Sequence, residues 1–97
     1  GVTLEEDGVV RFPDAPTLRG VKHLRGLSQC VREGFDAWAV FVIQMRGVRY
    51  FEPNRETHPE FAAAMREAEE SGVRLLALDC EVTPGSLRIA EEVPILL

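Results

Sequence analysis

Hydrophobic and polar positions alternate, recur or run unbroken in different stretches of the chain, and each pattern predicts a different element. Val2-Thr3-Leu4 and Val9-Val10-Arg11-Phe12 are short β-prone runs separated by Glu5-Glu6-Asp7-Gly8. Asp-Gly between such runs is a strong hairpin signal, so the chain opens on a predicted β-hairpin. Pro13-Asp14-Ala15-Pro16 breaks the strand, and Val21, Leu24, Leu27 and Val31 then recur at three- and four-residue spacing. That spacing predicts a helix from about Thr17 to Arg32, with Thr17 as N-cap and Gly34 ending it in a left-handed conformation. Ala37 to Ile43 is an unbroken apolar run of strand length, the pattern of a central strand covered on both faces.

Gly47 to Arg55 reads as a loop or short extension. Thr57 and Glu60 then form a capping box, with Pro59 tolerated in the first turn. Phe61, Ala64, Met65 and Ala68 supply the apolar face of a second helix, about Pro59 to Ser71, closed by Gly72. Val73 to Cys80 is another β-prone run, and two such runs joined through a helix predict a right-handed βαβ unit with parallel strands. Thr83-Pro84-Gly85 turns the chain into a last β-prone segment, Leu87 to Ala90, and Val93 to Leu97 is an apolar tail. The order ββαβαβ, with room for a final strand, predicts an α/β fold: a mixed β-sheet flanked by two helices.

Composition narrows this picture. The 97 residues suffice for one hydrophobic core and one domain, residues 1–97. No apolar run approaches the roughly 20 residues that cross a bilayer, so no membrane is expected as a partner and a cytoplasmic protein is the default. Cys30 and Cys80 belong to no Cys/His cluster and read as reduced, buried thiols. The chain enters a strand almost at Gly1, which suggests a fragment boundary and an unpaired sheet edge beside the first strand.

A net charge of −5 argues against a generic nucleic-acid binder, because phosphate neutralisation needs Lys and Arg in numbers. Between residues 11 and 25, however, Arg11, Arg19, Lys22 and Arg25 face Asp14 alone, a local +3. On the predicted helix Arg19, Lys22 and His23 are three and four residues apart, on one face near an N-terminus whose N–H groups favour an anion. Asp14, just ahead of that helix, could ligate a hard cation such as Mg²⁺, although spacing alone favours an Asx-turn there. Arg19 and Lys22 serve equally as solvated charges, and His23 as a surface hydrogen-bonding residue. Gly20 inside a helix costs stability unless something needs close approach. Gln44 closes the apolar strand near its carboxyl end, where α/β sheets collect ligands, or simply marks where that strand reaches solvent. His58 looks like a capping-region residue.

Phe12-Pro13-Asp14-Ala15, Arg19-Gly20 and Lys22-His23-Leu24 closely resemble the signature of the sugar fermentation stimulation protein A family. Phe41-Val42-Ile43-Gln44, Phe51-Glu52-Pro53-Asn54, Pro59-Glu60-Phe61, Gly72-Val73 and Val93-Pro94 resemble it in the same order. The resemblance implies a C-terminal domain similar to the PD-(D/E)xK restriction-endonuclease-like nucleases, truncated at its N-terminus, with the family's N-terminal OB-like module absent from this chain. It also implies DNA or RNA as partner and Mg²⁺ or Mn²⁺ as cofactor. In that scheme Asp14 is a catalytic metal or neighbouring carboxylate, Gln44 positions water or metal, and Arg19, Lys22 and His23 hold phosphates, with His23 a further catalytic candidate. The family's Glu-x-Lys strand is expected just upstream of Gly1, and without it this fragment is expected to be inactive. Two rival readings are a non-catalytic DNA-binding regulator of sugar (maltose-type) utilisation genes and a homo-oligomerisation module using an exposed Val93 to Leu97 tail.

Overall fold

The computed structural model describes residues 3, 4 and 7–97. Its elements run β1 (Thr3–Leu4), β2 (Val9–Phe12), α1 (Leu18–Arg32), β3 (Trp38–Ile43), β4 (Tyr50–Pro53), α2 (Pro59–Ser71), β5 (Arg74–Thr83) and β6 (Ser86–Val93). The order is therefore ββαββαββ. In place of one mixed sheet there are two of three strands each, β1-β2-β4 and β3-β5-β6, and each combines an antiparallel with a parallel pair.

The opening hairpin forms with Thr3 opposite Arg11 and Leu4 opposite Val10. Val2 and the turn residues Glu5 and Glu6 lie outside the described residues. Asp7 Oδ1 accepts from Val9 N–H, and Gly8 adopts φ +83°, which suits glycine at this corner. Among the described residues β1 and β4 end one sheet, and β3 and β6 the other.

Both helices fall within one residue of their expected bounds. Thr17 caps α1 and Gly34 beyond it has φ +97°, while α2 ends on Gly72 at φ +103°. The Thr57/Glu60 capping box does not form. The N-cap of α2 is His58, whose side chain makes no bond to its own helix, and Thr57 N–H instead donates to Asn54 Oδ1.

Two strand expectations need correction. Residues 50–53, within the stretch read as a loop or short extension, form β4, a four-residue strand parallel to β2 that buries Phe51 and Pro53. And β3 is covered on one face only. Ala39 and Ile43 are buried, whereas Trp38, Val40 and Val42 are 51%, 50% and 48% exposed. The helices occupy one side of this sheet, and the guanidinium of Arg74 lies over the outward Trp38 ring, 5.0 Å from its centroid. The predicted parallel βαβ unit does form: β3 pairs with β5 from Trp38 opposite Arg74 to Ile43 opposite Asp79, with β4 diverted to the other sheet on the way.

The core lies between the helices and the inner sheet faces, around Val10, Val21, Leu24, Ile43, Phe51, Phe61, Met65, Ala77 and Val93. The tail is mixed in exposure, with Leu96 49% exposed. Val93 is buried, Phe51 N–H donates to Pro94 O at 2.9 Å and Leu96 N–H donates to Phe51 O at 2.9 Å, so the tail is laid along β4 and links the two sheets.

Candidate functional site

The start of α1 is fixed by local chemistry and by one long-range contact. Thr17 is extended, φ −132° and ψ 94°, and its Oγ1 accepts from Gly20 N–H at 3.1 Å, satisfying a donor that has no partner within the helix. Thr17 N–H donates to His58 Nδ1 at 3.0 Å. Gly20 is explained by space: a Cβ there would lie 3.0 Å from Phe61 Cε1 and from Thr17 Cγ2. The two helix starts are thus seated on each other.

From this platform Arg19, Lys22 and His23 project outward, all three exposed. They line one open groove on α1 together with Gly26, Leu27 and Cys30. No acidic residue occupies the first turn of α1, and Arg19 within it sits where the helix dipole is unfavourable to a cation and favourable to an anion. His23 also borders a 210 Å³ hollow between α1 and β3, walled by Phe12, Trp38, Phe41 and Phe61.

The remaining predicted residues do not join that groove. Asp14 is exposed in the turn after β2 and Gln44 is exposed in the bend after β3, and neither lines the α1 groove. Among the described residues no group of three or more His, Cys, Asp or Glu side chains could hold a metal ion. Arg11, counted with the basic segment, is spent on Glu52, its cross-strand neighbour, at 2.6 Å. Cys30 is half-buried and Cys80 buried, both as free thiols.

Two features were not read from the sequence. A 520 Å³ crevice opens near the carboxyl ends of parallel strands β2 and β4, lined by Arg11, Glu52, Asn54, Arg55, Glu56 and Thr57; Tyr50-Phe51-Glu52-Pro53 carries no alternation that would mark the strand beside it. Asp79 is buried in β5, where its Oδ1 accepts from Glu91 N–H at 2.9 Å and lies 3.5 Å from Arg46 Nη1. It fastens the irregularity between Leu78 and Cys80 in the β5–β6 ladder. Further along that hairpin Arg88 bonds to Glu81 and holds its carboxyl below the ordinary carboxylate value.

The fold and site define a mixed α/β protein with two helices, two small sheets and a cationic helix face. Residues 1–86 match the family model described as "Sugar fermentation stimulation protein RE domain", and the chain belongs to the sugar fermentation stimulation protein family. It is 55% identical over all 97 residues to a sugar fermentation stimulation protein homolog of Clostridium beijerinckii, covering 43% of that protein. With the Desulfitobacterium hafniense homolog it shares 56% identity over 97 residues and covers 42% of its length. The chain thus spans about two-fifths of the length of these curated relatives. The solved structure of Pyrococcus furiosus SfsA in complex with Ca²⁺ superposes with a TM-score of 0.88 at 29% identity, over 99% of this chain and 42% of that one. Among the described residues no helix is long and apolar enough to cross a membrane.

Proposed function

We propose that the exposed face of α1 binds the phosphate backbone of DNA or RNA, as part of a longer protein that is a divalent-metal-dependent nuclease with a restriction-endonuclease-like core. The observation that carries the reading is the grouping of Arg19, Lys22 and His23 along one groove, at a helix start free of acidic residues in its first turn. A chain of net charge −5 that concentrates cations on one face directs polyanions to that face while the rest of its surface repels them. Arg19 and Lys22 would neutralise successive phosphates and His23 would hydrogen-bond beside them, contacts that position a strand without reading its sequence.

The metal side of the reading rests on the Ca²⁺ carried by the Pyrococcus furiosus protein, a hard, oxygen-preferring cation like Mg²⁺. Mg²⁺ or Mn²⁺ is our assignment for catalysis. Such an ion would polarise the scissile phosphate and lower the pKa of an attacking water. The described residues offer Asp14 as one carboxylate but no ligand set of three.

Binding of labelled single- and double-stranded DNA and RNA across a salt series tests the phosphate face. Arg19→Ala/Lys22→Ala is expected to weaken every nucleic acid similarly and to reduce the slope of log affinity against log salt by about 2. An unchanged slope would remove α1 from the interface. Cleavage assays of the full-length protein with Mg²⁺, Mn²⁺ or EDTA test the nuclease: cutting abolished by EDTA supports it, and salt-sensitive binding without cutting points to a non-catalytic DNA-binding regulator.

A further inference from the structure

Resting on the phosphate-binding reading of α1, we propose that His58 is a positioning residue that sets the orientation of the Arg19, Lys22 and His23 face through Thr17. His58 occupies the N-cap of α2, where Ser, Thr, Asp or Asn normally turns a side-chain oxygen onto its own helix. It does not do so. Its backbone is held from both sides, N–H donating to Asn54 O at 3.0 Å and C=O accepting from Phe61 N–H at 3.1 Å. The imidazole, in a residue only 7% exposed, is aimed at the other helix, where Nδ1 accepts the Thr17 N–H. Accepting at Nδ1 places the proton of the neutral ring on Nε2.

The bond is the first link of a short relay. Thr17, oriented by His58, accepts from Gly20 N–H through its side chain and from Val21 N–H through its carbonyl at 3.2 Å. Those two bonds shape the turn that carries Arg19, and Lys22 and His23 follow directly. At the far end the helix pair is tied by Arg32, which reaches Glu67 and Ser71 of α2. Those contacts are exposed and lie more than two turns from the cations. Without an acceptor at position 58, Thr17 N–H must find water, and fraying the first turn of α1 is the direct way to reach it.

His58→Ala removes the acceptor; His58→Asn keeps one on a shorter side chain. Two readouts are taken on the full-length protein: the affinity for a labelled single-stranded DNA, and hydrogen–deuterium exchange of peptides covering residues 17–21. The expected result is roughly fivefold weaker binding and faster exchange at 17–21 in His58→Ala. His58→Asn is expected to return both to within about twofold of wild type, since its amide oxygen can replace Nδ1. Unchanged affinity in a folded His58→Ala protein would overturn the positioning role. So would a folded His58→Asn protein that remains as weak as His58→Ala although its residues 17–21 exchange at the wild-type rate, because the Thr17 acceptor would then be restored without restoring the binding face. A wild-type protein that binds no nucleic acid at any salt would remove both the phosphate reading and the positioning role, whereas wild-type binding that His58→Ala leaves unchanged removes the positioning role alone.

Discussion

The two helices are close in length and packed on each other, yet they divide the work of the molecule differently. α2 buries Phe61, Ala62, Ala64, Met65 and Ala68, whereas α1 buries Val21, Leu24 and Ser28 and turns Arg19, Lys22, His23 and Arg25 to solvent. Small residues on α2 let it sink against its neighbours, and the cations on α1 require it to ride above them. The helix that carries the candidate chemistry is held by Val21 and Leu24 in the core, by its Thr17 cap and by its seat on α2, and the helix that anchors the core carries none of the candidate chemistry.

Phe61→Ala should break this contrast most severely. Phe61 is 2% exposed and meets Phe12 edge-on at 5.2 Å between ring centroids, so its truncation is expected to cost about 3–5 kcal/mol in denaturant unfolding. Gly72→Ala comes next. Its left-handed backbone and the 3.1 Å approach of an added Cβ to Val31 Cγ1 should cost about 1–2 kcal/mol. Gly34→Ala shares the left-handed conformation but opens onto empty space, so the difference between the two variants isolates the contact between the helix ends. Thr17→Ala is expected to lose about 1 kcal/mol of cap stabilisation. Arg19→Ala/Lys22→Ala should change stability by no more than about 0.5 kcal/mol, toward a more stable protein if anything, since it removes cations from the positive end of α1. A substantial loss of stability in that last variant would show that the basic face is structural and erase the division between the helices.

What was legible in the sequence was whatever local chemistry decides. Val21, Leu24, Leu27 and Val31 mark α1 by their spacing, Pro59 and Gly72 bracket α2, and the three cations share a face because helical geometry puts them there. β4 escaped because four residues between Gly47 and Asn54 become a strand only by pairing with Val9 to Phe12, some forty positions earlier. The one-sidedness of β3 escaped because an unbroken apolar run carries no alternation to show which face is outward. His58 was recognised as a capping-region residue, but its acceptor role depends on Thr17, 41 residues away. Asp14 and Gln44 stand on bends whose placement no periodicity governs, so their separation from the cationic groove was not readable.

The β5–β6 hairpin extends these relations to practical use. Beyond Cys80 its residues are exposed as far as Ile89, Gly85 turns the tip at φ +80°, and a Cβ added there meets nothing within 4 Å. Thr83 and Ser86 close the turn through their hydroxyls. Chain can be inserted at such a tip without disturbing either sheet. A short tag between Pro84 and Gly85 would give the molecule a handle for a dye or a surface, leaving α1 unmodified for whatever it is asked to hold.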